Sequence, residues 1–295
     1  MTLCRQAAEP ALRAVACGAV SIYAVHQYIM TNPITPLYKK RIAARFDKSA
    51  KSYDLGAAVQ LEIVQRLASI IKDDIGLGQL WCDIGSATGA LIDDLTPLPD
   101  RTNFICLDIA FSPLRCAVLR GDGVFAINGD IEFPPIRPMS LDGAVAASML
   151  QWVSSPHTTL CKVSDLLKSD GVLYFAVFVE DSFKEINTLR SNRGLPPSVW
   201  LPSEKELFSV FESAGFHILK ESVQSFNKTL QFNDAISALK SLSNIGATAV
   251  AGKLLNRKEL DELCGDYTSM FSVDGKVSLT YSSIIGMARK CRESS

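Results

Sequence analysis

The stretch WCDIGSATGALIDDL, residues 81–95, constrains the fold more than any other part of the chain. A hydrophobic run reaches Asp83 and passes through Gly85, Ala87 and Gly89, small residues that let a backbone turn sharply and approach a ligand. An apolar segment of helical character follows. This order predicts a buried strand, a tight loop and a helix, the first unit of an α/β sheet with a ligand at the strand end. The loop reads D-x-G-x-A-x-G and departs from the G-x-G-x-x-G spacing of a pyrophosphate cradle, which disfavours a dinucleotide. The reading left is an adenosyl ligand without a pyrophosphate, pointing to S-adenosylmethionine (SAM).

Alternation continues beyond the loop. Strands are expected at 79–84, 103–107, 124–127, 141–147 and 172–179, with helices at 88–95, 113–120 and 157–167 between them. Ser112 and Pro113 occupy the places of a helix cap and a first-turn proline. Such an order belongs to a mostly parallel sheet covered on both faces. Later come a helix at 204–213, strands at 216–225 and 277–287, a helix at 233–244, and a helix at 257–264 capped by Asn256. Segments around 181–202 and 226–272 are candidates for an inserted cap.

The helical segment 55–71 precedes the sheet, and before it lies a basic run of Lys39, Lys40, Arg41, Arg45, Lys48 and Lys51, interleaved with Tyr38, Ile42, Phe46 and Tyr53. Two readings stand: a solvated helix face with an apolar underside, or a flap over a ligand that also offers a basic landing surface to an acidic carrier. Residues 1–35 form an N-terminal extension of uncertain role. Within it residues 14–30 are apolar, but about 17 residues is the bottom of the membrane-spanning range and His26 and Gln27 interrupt the run. A packed extension is favoured over a span or a targeting segment, so the expected setting is cytoplasmic, without membrane association. Residues 36–290 are read as the domain and 291–295 as a tail.

The 30 basic and 31 acidic residues leave a net charge of −1, which gives no global field to gather nucleic acid. Eight cysteines occur without a C-x-x-C pair, and the three histidines form no metal-ligand spacing, so reduced thiols and no metal are expected. A monomer is favoured.

Strand ends would bring Gly85, Asp108, Asp130 and Ser148 together, where open α/β sheets bind ligands. A carboxylate at Asp108, 25 residues beyond Asp83, can accept from both ribose hydroxyls; the alternative is a helix cap. Asp130 can accept from the adenine amine with Ile131 as an apolar edge, or be a turn aspartate. Asp83 is read as orienting the glycine loop by accepting backbone amides, with an approach to the methionine ammonium through water. Gln151 and Trp152 would face the reactive methyl group, although Trp152 also suits a core, and Tyr53 either closes over the cofactor or packs the first helix. His157 reads as a helix-start residue and not a base.

These pieces resemble a known family. KKRIAARFDKSAKSYD at 39–54, CDIGSATG at 82–89, LDIAFSPL at 107–114, GDIEFPP at 129–135 and LQW at 150–152 are similar to class I SAM-dependent methyltransferases. ALKSLSNIGATA at 238–249, LNRKELDEL at 255–263 and LTYSSIIGMARK at 279–290 narrow the resemblance to the malonyl-acyl carrier protein O-methyltransferases of biotin biosynthesis. The resemblance implies an α/β, Rossmann-like, seven-stranded sheet with an inserted helical cap, SAM as cofactor, and methylation of the free carboxylate of a malonyl thioester on acyl carrier protein or coenzyme A. It carries the cofactor site onto Asp83, Gly85, Ala87, Gly89, Asp108, Ile109, Asp130, Ile131 and Ser148. Substrate positioning falls to Tyr53, Gln151 and Trp152, with Arg190 or Arg193 of the cap on the malonyl carboxylate; no general base is assigned. Ala87 stands where the family usually has glycine, which a negative φ would accommodate. The competing readings are a complex I assembly protein of the same fold associated with arginine hydroxylation, a noncatalytic SAM-binding protein, and methylation of another small molecule.

Overall fold

Short apolar strands alternating with amphipathic helices build a single twisted sheet in the computed structural model, which describes residues 36–50, 53–195, 197, 199–244 and 256–291. The apolar stretch at 14–30 and Lys51 lie outside the described residues. Among those described, no helix is long and apolar enough to cross a membrane. Helices α1 (Pro36–Ser49), α2 (Tyr53–Gly56) and α3 (Ala58–Ile71) precede the sheet. Then come β1 (Leu80–Ile84), α4 (Ala90–Leu95), β2 (Asn103–Asp108), α5 (Phe111–Ala117), β3 (Val124–Asn128) and β4 (Leu141–Ala147). After a 3-10 turn at Leu150–Trp152 follow α6 (Pro156–Leu166), β5 (Leu167–Phe178), α7 (Lys184–Ser191), α8 (Glu204–Ser213), β6 (Phe216–Ile218) and β7 (Gln224–Phe232). Helices α9 (Ala235–Asn244) and α10 (Arg257–Phe271) lead to β8 (Ser272–Val273) and β9 (Lys276–Lys290).

The sheet order is β3-β2-β1-β4-β5-β9-β6. Strands β1 to β5 are parallel and β9 runs antiparallel beside β5. Period-two alternation then sorts side chains by face. Trp81, Phe104, Val145 and Tyr174 enter one core with α3, α4 and α5, while Cys82, Ile84, Leu107, Ala146 and Phe175 enter the other with α6 and α8. Burial on both faces explains why these strands read as continuous apolar runs.

The seven-strand width is as expected, but nine strands are assigned among the described residues. Strands β6 and β7 share one edge of β9 in succession, separated by a 3-10 turn at Lys220–Ser222, and β8 makes a hairpin with β9. The segment 226–272 therefore begins inside the sheet, since residues up to Phe232 pair with β9, and only α9 and α10 cover it from above. Residues 169–171, which the sequence leaves between the expected helix 157–167 and strand 172–179, belong to β5, whose register against β4 shifts between Leu141 and Gly143. Helix α5 starts at Phe111 without a side-chain cap of its own; the carboxylate of Asp47, on α1, accepts from Ser112 N at 2.6 Å instead. Asn256 does cap α10, in a reciprocal capping box with Glu259.

Candidate cofactor and acceptor cleft

The strand order reverses on either side of β1 and β4, and the crevice opens there at the carboxyl ends of the parallel strands. A cleft of about 1170 Å³, counting the part open to solvent, occupies it. The loop after β1 is shaped by two glycines with left-handed backbones, Gly85 at φ 72° and Gly89 at φ 77°. A Cβ at Gly85 would meet Met149 Cβ at 2.8 Å, and one at Gly89 would meet Ala117 Cβ at 2.8 Å, so both positions also serve close approach. Ala87 lies between them with φ 45°. The expected negative angle is not found, and the residue carries the strain of an L side chain in the left-handed region.

Asp108 ends β2, where its carboxylate accepts from Ala87 N at 2.9 Å and from Ala110 N at 2.8 Å. It thus performs the loop-orienting task that the sequence suggests for Asp83. Burial pushes Asp108 up to about 6 against the opposing pull of those backbone donors. Asp83 is 3% exposed, and no protein group among the described residues donates to its carboxylate. Its burial, reinforced by the charge of Asp108, raises it to about 7. Among the described residues, the buried oxygens Ser148 Oγ and Gln151 Oε1 are likewise without a hydrogen-bond partner, and Ser86 Oγ has only the weak thiol of Cys106 beside it. A lone buried carboxylate ringed by unsatisfied polar atoms suits a ligand bearing a cationic ammonium and several hydrogen-bonding groups, which is what the amino-acid end of SAM presents.

Around the cleft stand Gly85, Ala87, Asp108, Ile109, Asp130, Ile131, Ser148, Gln151, Trp152 and Tyr53, while Asp83 lines the smaller adjoining recess with Ser86 and Thr88. Gly89 caps the helix behind the loop. Arg190 and Arg193 are not brought to the wall: Arg193 donates to Leu189 O and pairs with Asp266 at 2.5 Å. His157 contacts Ser213 O, also outside the cleft.

Further lining residues come from the α1 segment, for which a flap over a ligand is one of the two readings of the sequence, and from the candidate cap segments, where the sequence singles out no individual apolar residue. Helix α1 borders the cleft, placing Ile42 and Phe46 on its lining and Lys39 between Asp130 at 2.5 Å and Glu132 at 2.6 Å. Phe46 meets Trp152 edge-on at 5.9 Å and lies 6.1 Å from Tyr53. Tyr53 is partly buried near Asp108, Asp54 and Asp83, and desolvation followed by those charges drives its hydroxyl far above its ordinary pKa. Phe178, Phe183, Val199 and Leu242 give the cleft an apolar stretch of lining. Among the described residues lining the cleft, Lys39 is the one cation, and it is engaged by two carboxylates.

The family model described as a methyltransferase domain matches residues 82–175, the span from β1 through the end of β4 into β5. Malonyl-[acyl-carrier protein] O-methyltransferases align along most of the chain. That of Haemophilus influenzae is 28% identical over 265 residues, covering 87% of this chain and 96% of that protein. That of Methylovorus sp. is 29% identical over 268 residues, covering 85% and 89%. Against the relative in Bacteroides fragilis, 28% identical, the chain spans 50% of that protein's length. Among solved structures, the YcgJ protein of Bacillus subtilis superposes with a TM-score of 0.56 at 16% identity, covering 78% of this chain and 99% of that one. A Bacillus halodurans protein gives 0.55 at 15%, covering 76% and 98%. These two likenesses concern the fold.

Proposed function

We propose that this chain, a class I SAM-dependent methyltransferase, methylates the free carboxylate of a malonyl thioester carried on acyl carrier protein, the first masking step toward biotin. The observation that carries the acceptor is Leu242. It belongs to the segment 238–249, whose resemblance is to the malonyl enzymes in particular, and it lines the same cleft as Gly85 and Ala87 of the glycine loop.

Bound SAM supplies an electrophilic methyl on a sulfonium. Asp83 and the unpaired oxygens beside it would hold the amino-acid end, Asp108 the ribose, and Asp130 with Ile131 the adenine. Tyr53, Gln151 and Trp152 border the space between cofactor and acceptor. A malonyl carboxylate is already ionised near neutral pH, so no base is required; one C–O bond forms as the S–CH₃ bond breaks. The protein's task is alignment and exclusion of water, and orientation alone can be worth effective molarities of about 10⁵ to 10⁸ M. The apolar lining supports this reading, because a carboxylate without a cation against it keeps its nucleophilic lone pairs. The ester product carries no charge, which removes the cost of placing a carboxylate in the apolar tunnels of chain-elongating enzymes. Cys82 and Cys106 lie buried in the sheet as free thiols, in keeping with a reducing, cytoplasmic setting.

Incubation with labelled SAM and malonyl-acyl carrier protein, beside malonyl-coenzyme A, tests the proposal by intact mass. The expected result is a gain of one methyl group on the carrier substrate. SAM binding without any methyl gain on either thioester would sink it.

A further inference from the structure

Helix α1 divides its residues by face. Lys39, Ile42 and Phe46 look into the cleft, whereas Lys40, Arg41 and Lys48 are exposed and have no acidic partner among the described residues. The helix carries five cations and a single anion in 14 residues, within a chain whose net charge is −1. Its one carboxylate, Asp47, is used by Ser112 N, and that bond fixes the start of α5 against α1. Helix α5 adds Phe111, 59% exposed, and one turn later the exposed Arg115. The result is an exposed set of cations on α1, with an exposed aromatic and a further cation on α5, the helix that packs against it.

A merely solvated face mixes signs, because like charges three and four positions apart on a helix repel each other. Here Arg41 and Lys48 accumulate on one flank together with Arg45. We propose that the outer faces of α1 and α5 dock the acidic carrier protein that brings the malonyl acceptor; this rests on the reaction proposed above. Lys40, Arg41, Lys48 and Arg115 meet carboxylates of the carrier, Phe111 packs at the centre of the contact, and the tethered arm passes beside α1 into the cleft. Clusters of complementary charge of this kind act on encounter and orientation, and they weaken as salt rises. Nucleic acid is the other polyanion a cationic surface could take. The seating of α1 on the acceptor cleft favours a partner that delivers a substrate there.

The test compares the full chain with its Lys40→Glu, Arg41→Glu, Lys48→Glu triple variant, using malonyl-acyl carrier protein and malonyl-pantetheine, which has the arm without the protein or the phosphates of coenzyme A. With the carrier substrate, kcat/KM is expected to fall about tenfold or more through KM, and the salt dependence of the wild type to flatten. Malonyl-pantetheine turnover and SAM affinity are expected to stay unchanged. Equal losses on both substrates, no loss on either, or displacement of the carrier by a duplex oligonucleotide at equal charge concentration would overturn the proposal. If the triple variant fails to bind SAM, an Arg41→Ala, Lys48→Ala variant takes its place under the same criteria. If wild-type protein methylates neither substrate, the proposed reaction fails, and direct binding of the malonyl carrier to wild type and variant decides the surface separately.

Discussion

Replacing Asp83 by asparagine should stabilise the ligand-free protein while weakening its hold on SAM, and the size of the effect follows from one carboxylate. Asp83 is 3% exposed, receives no protein donor among the described residues, and is raised to about 7 by burial and by the charge of Asp108. In the unfolded chain an aspartate titrates near about 3.9. Because the native pKa is the higher one, the folded state binds the proton more tightly. The stability this contributes is complete below about pH 4 and is lost as pH climbs through about 7. A gap of about three pKa units at about 1.4 kcal/mol each puts roughly 4 kcal/mol of destabilisation on the free protein at pH 8, of which about 1.5 is already present at pH 5.

An asparagine in its place would keep the shape and discard the charge. The stability difference between Asp83→Asn and wild type is therefore predicted to grow by about 2–3 kcal/mol in favour of the variant between pH 5 and pH 8. Asp108 titrates in both proteins, so its contribution largely cancels in the comparison. SAM affinity of the variant should fall by roughly 30- to 100-fold at pH 8, the scale of losing a hydrogen bond to a charged group in a buried site. Urea unfolding of both proteins at the two pH values, with calorimetric SAM titration at pH 8, measures these quantities. Parallel stability profiles would refute the assignment of Asp83 as a strained, unpaired charge. Unchanged SAM binding would remove it from the cofactor site.

Three other perturbations test the same geometry. Ala87→Gly should raise stability by about 0.5–1 kcal/mol, since relief of the left-handed strain, about 1–2 kcal/mol, outweighs the added freedom of glycine in the unfolded chain; a thermal midpoint that drops would contradict the positive φ. Lys39→Met removes both links from α1 to Asp130 and Glu132, and stopped-flow should find SAM leaving several-fold faster; an unaltered dissociation rate would mean that α1 does not retain the cofactor. Asn256→Ala breaks the capping box of α10 at a cost of about 1 kcal/mol, read as a lower urea midpoint, with SAM affinity untouched because α10 does not border the cleft.

What can be read from the sequence and what cannot divide along a physical line. The strand-loop-helix unit at 81–95 is legible because a strand buried on both faces must be apolar and a loop that meets a ligand must be small. The positions of Asp108 and Asp130 follow, because parallel strands deliver their carboxyl ends to one edge. The Lys39–Asp130 ion pair spans 91 residues and leaves no periodic trace. The exchange of tasks between the aspartates is equally hidden. Both sit at the ends of adjacent strands, and only the path of the loop decides that Ala87 N turns toward Asp108 and leaves Asp83 bare. Likewise the apparent single strand before residue 226 hides a break at Lys220–Ser222, because each half keeps its own pairing with β9.

The N-terminal basic run shows why local pattern leaves such questions open until packing answers them. A helical period separates 39, 42 and 46 from 40, 41 and 48 on sequence alone, yet it does not say which set faces the sheet. Apolarity argues for Ile42 and Phe46 inward, and that carries Lys39 inward with them, to the border of a ligand site. Burying part of a lysine there would be unfavourable without partners; Asp130 and Glu132 provide two. The same carboxylate that the sequence marks as an adenine acceptor therefore also holds α1 through Lys39. On the proposed cofactor placement, an adenine amine that reaches Asp130 would share this carboxylate with Lys39. Lys40, Arg41 and Lys48, left outside, have no acidic partner among the described residues.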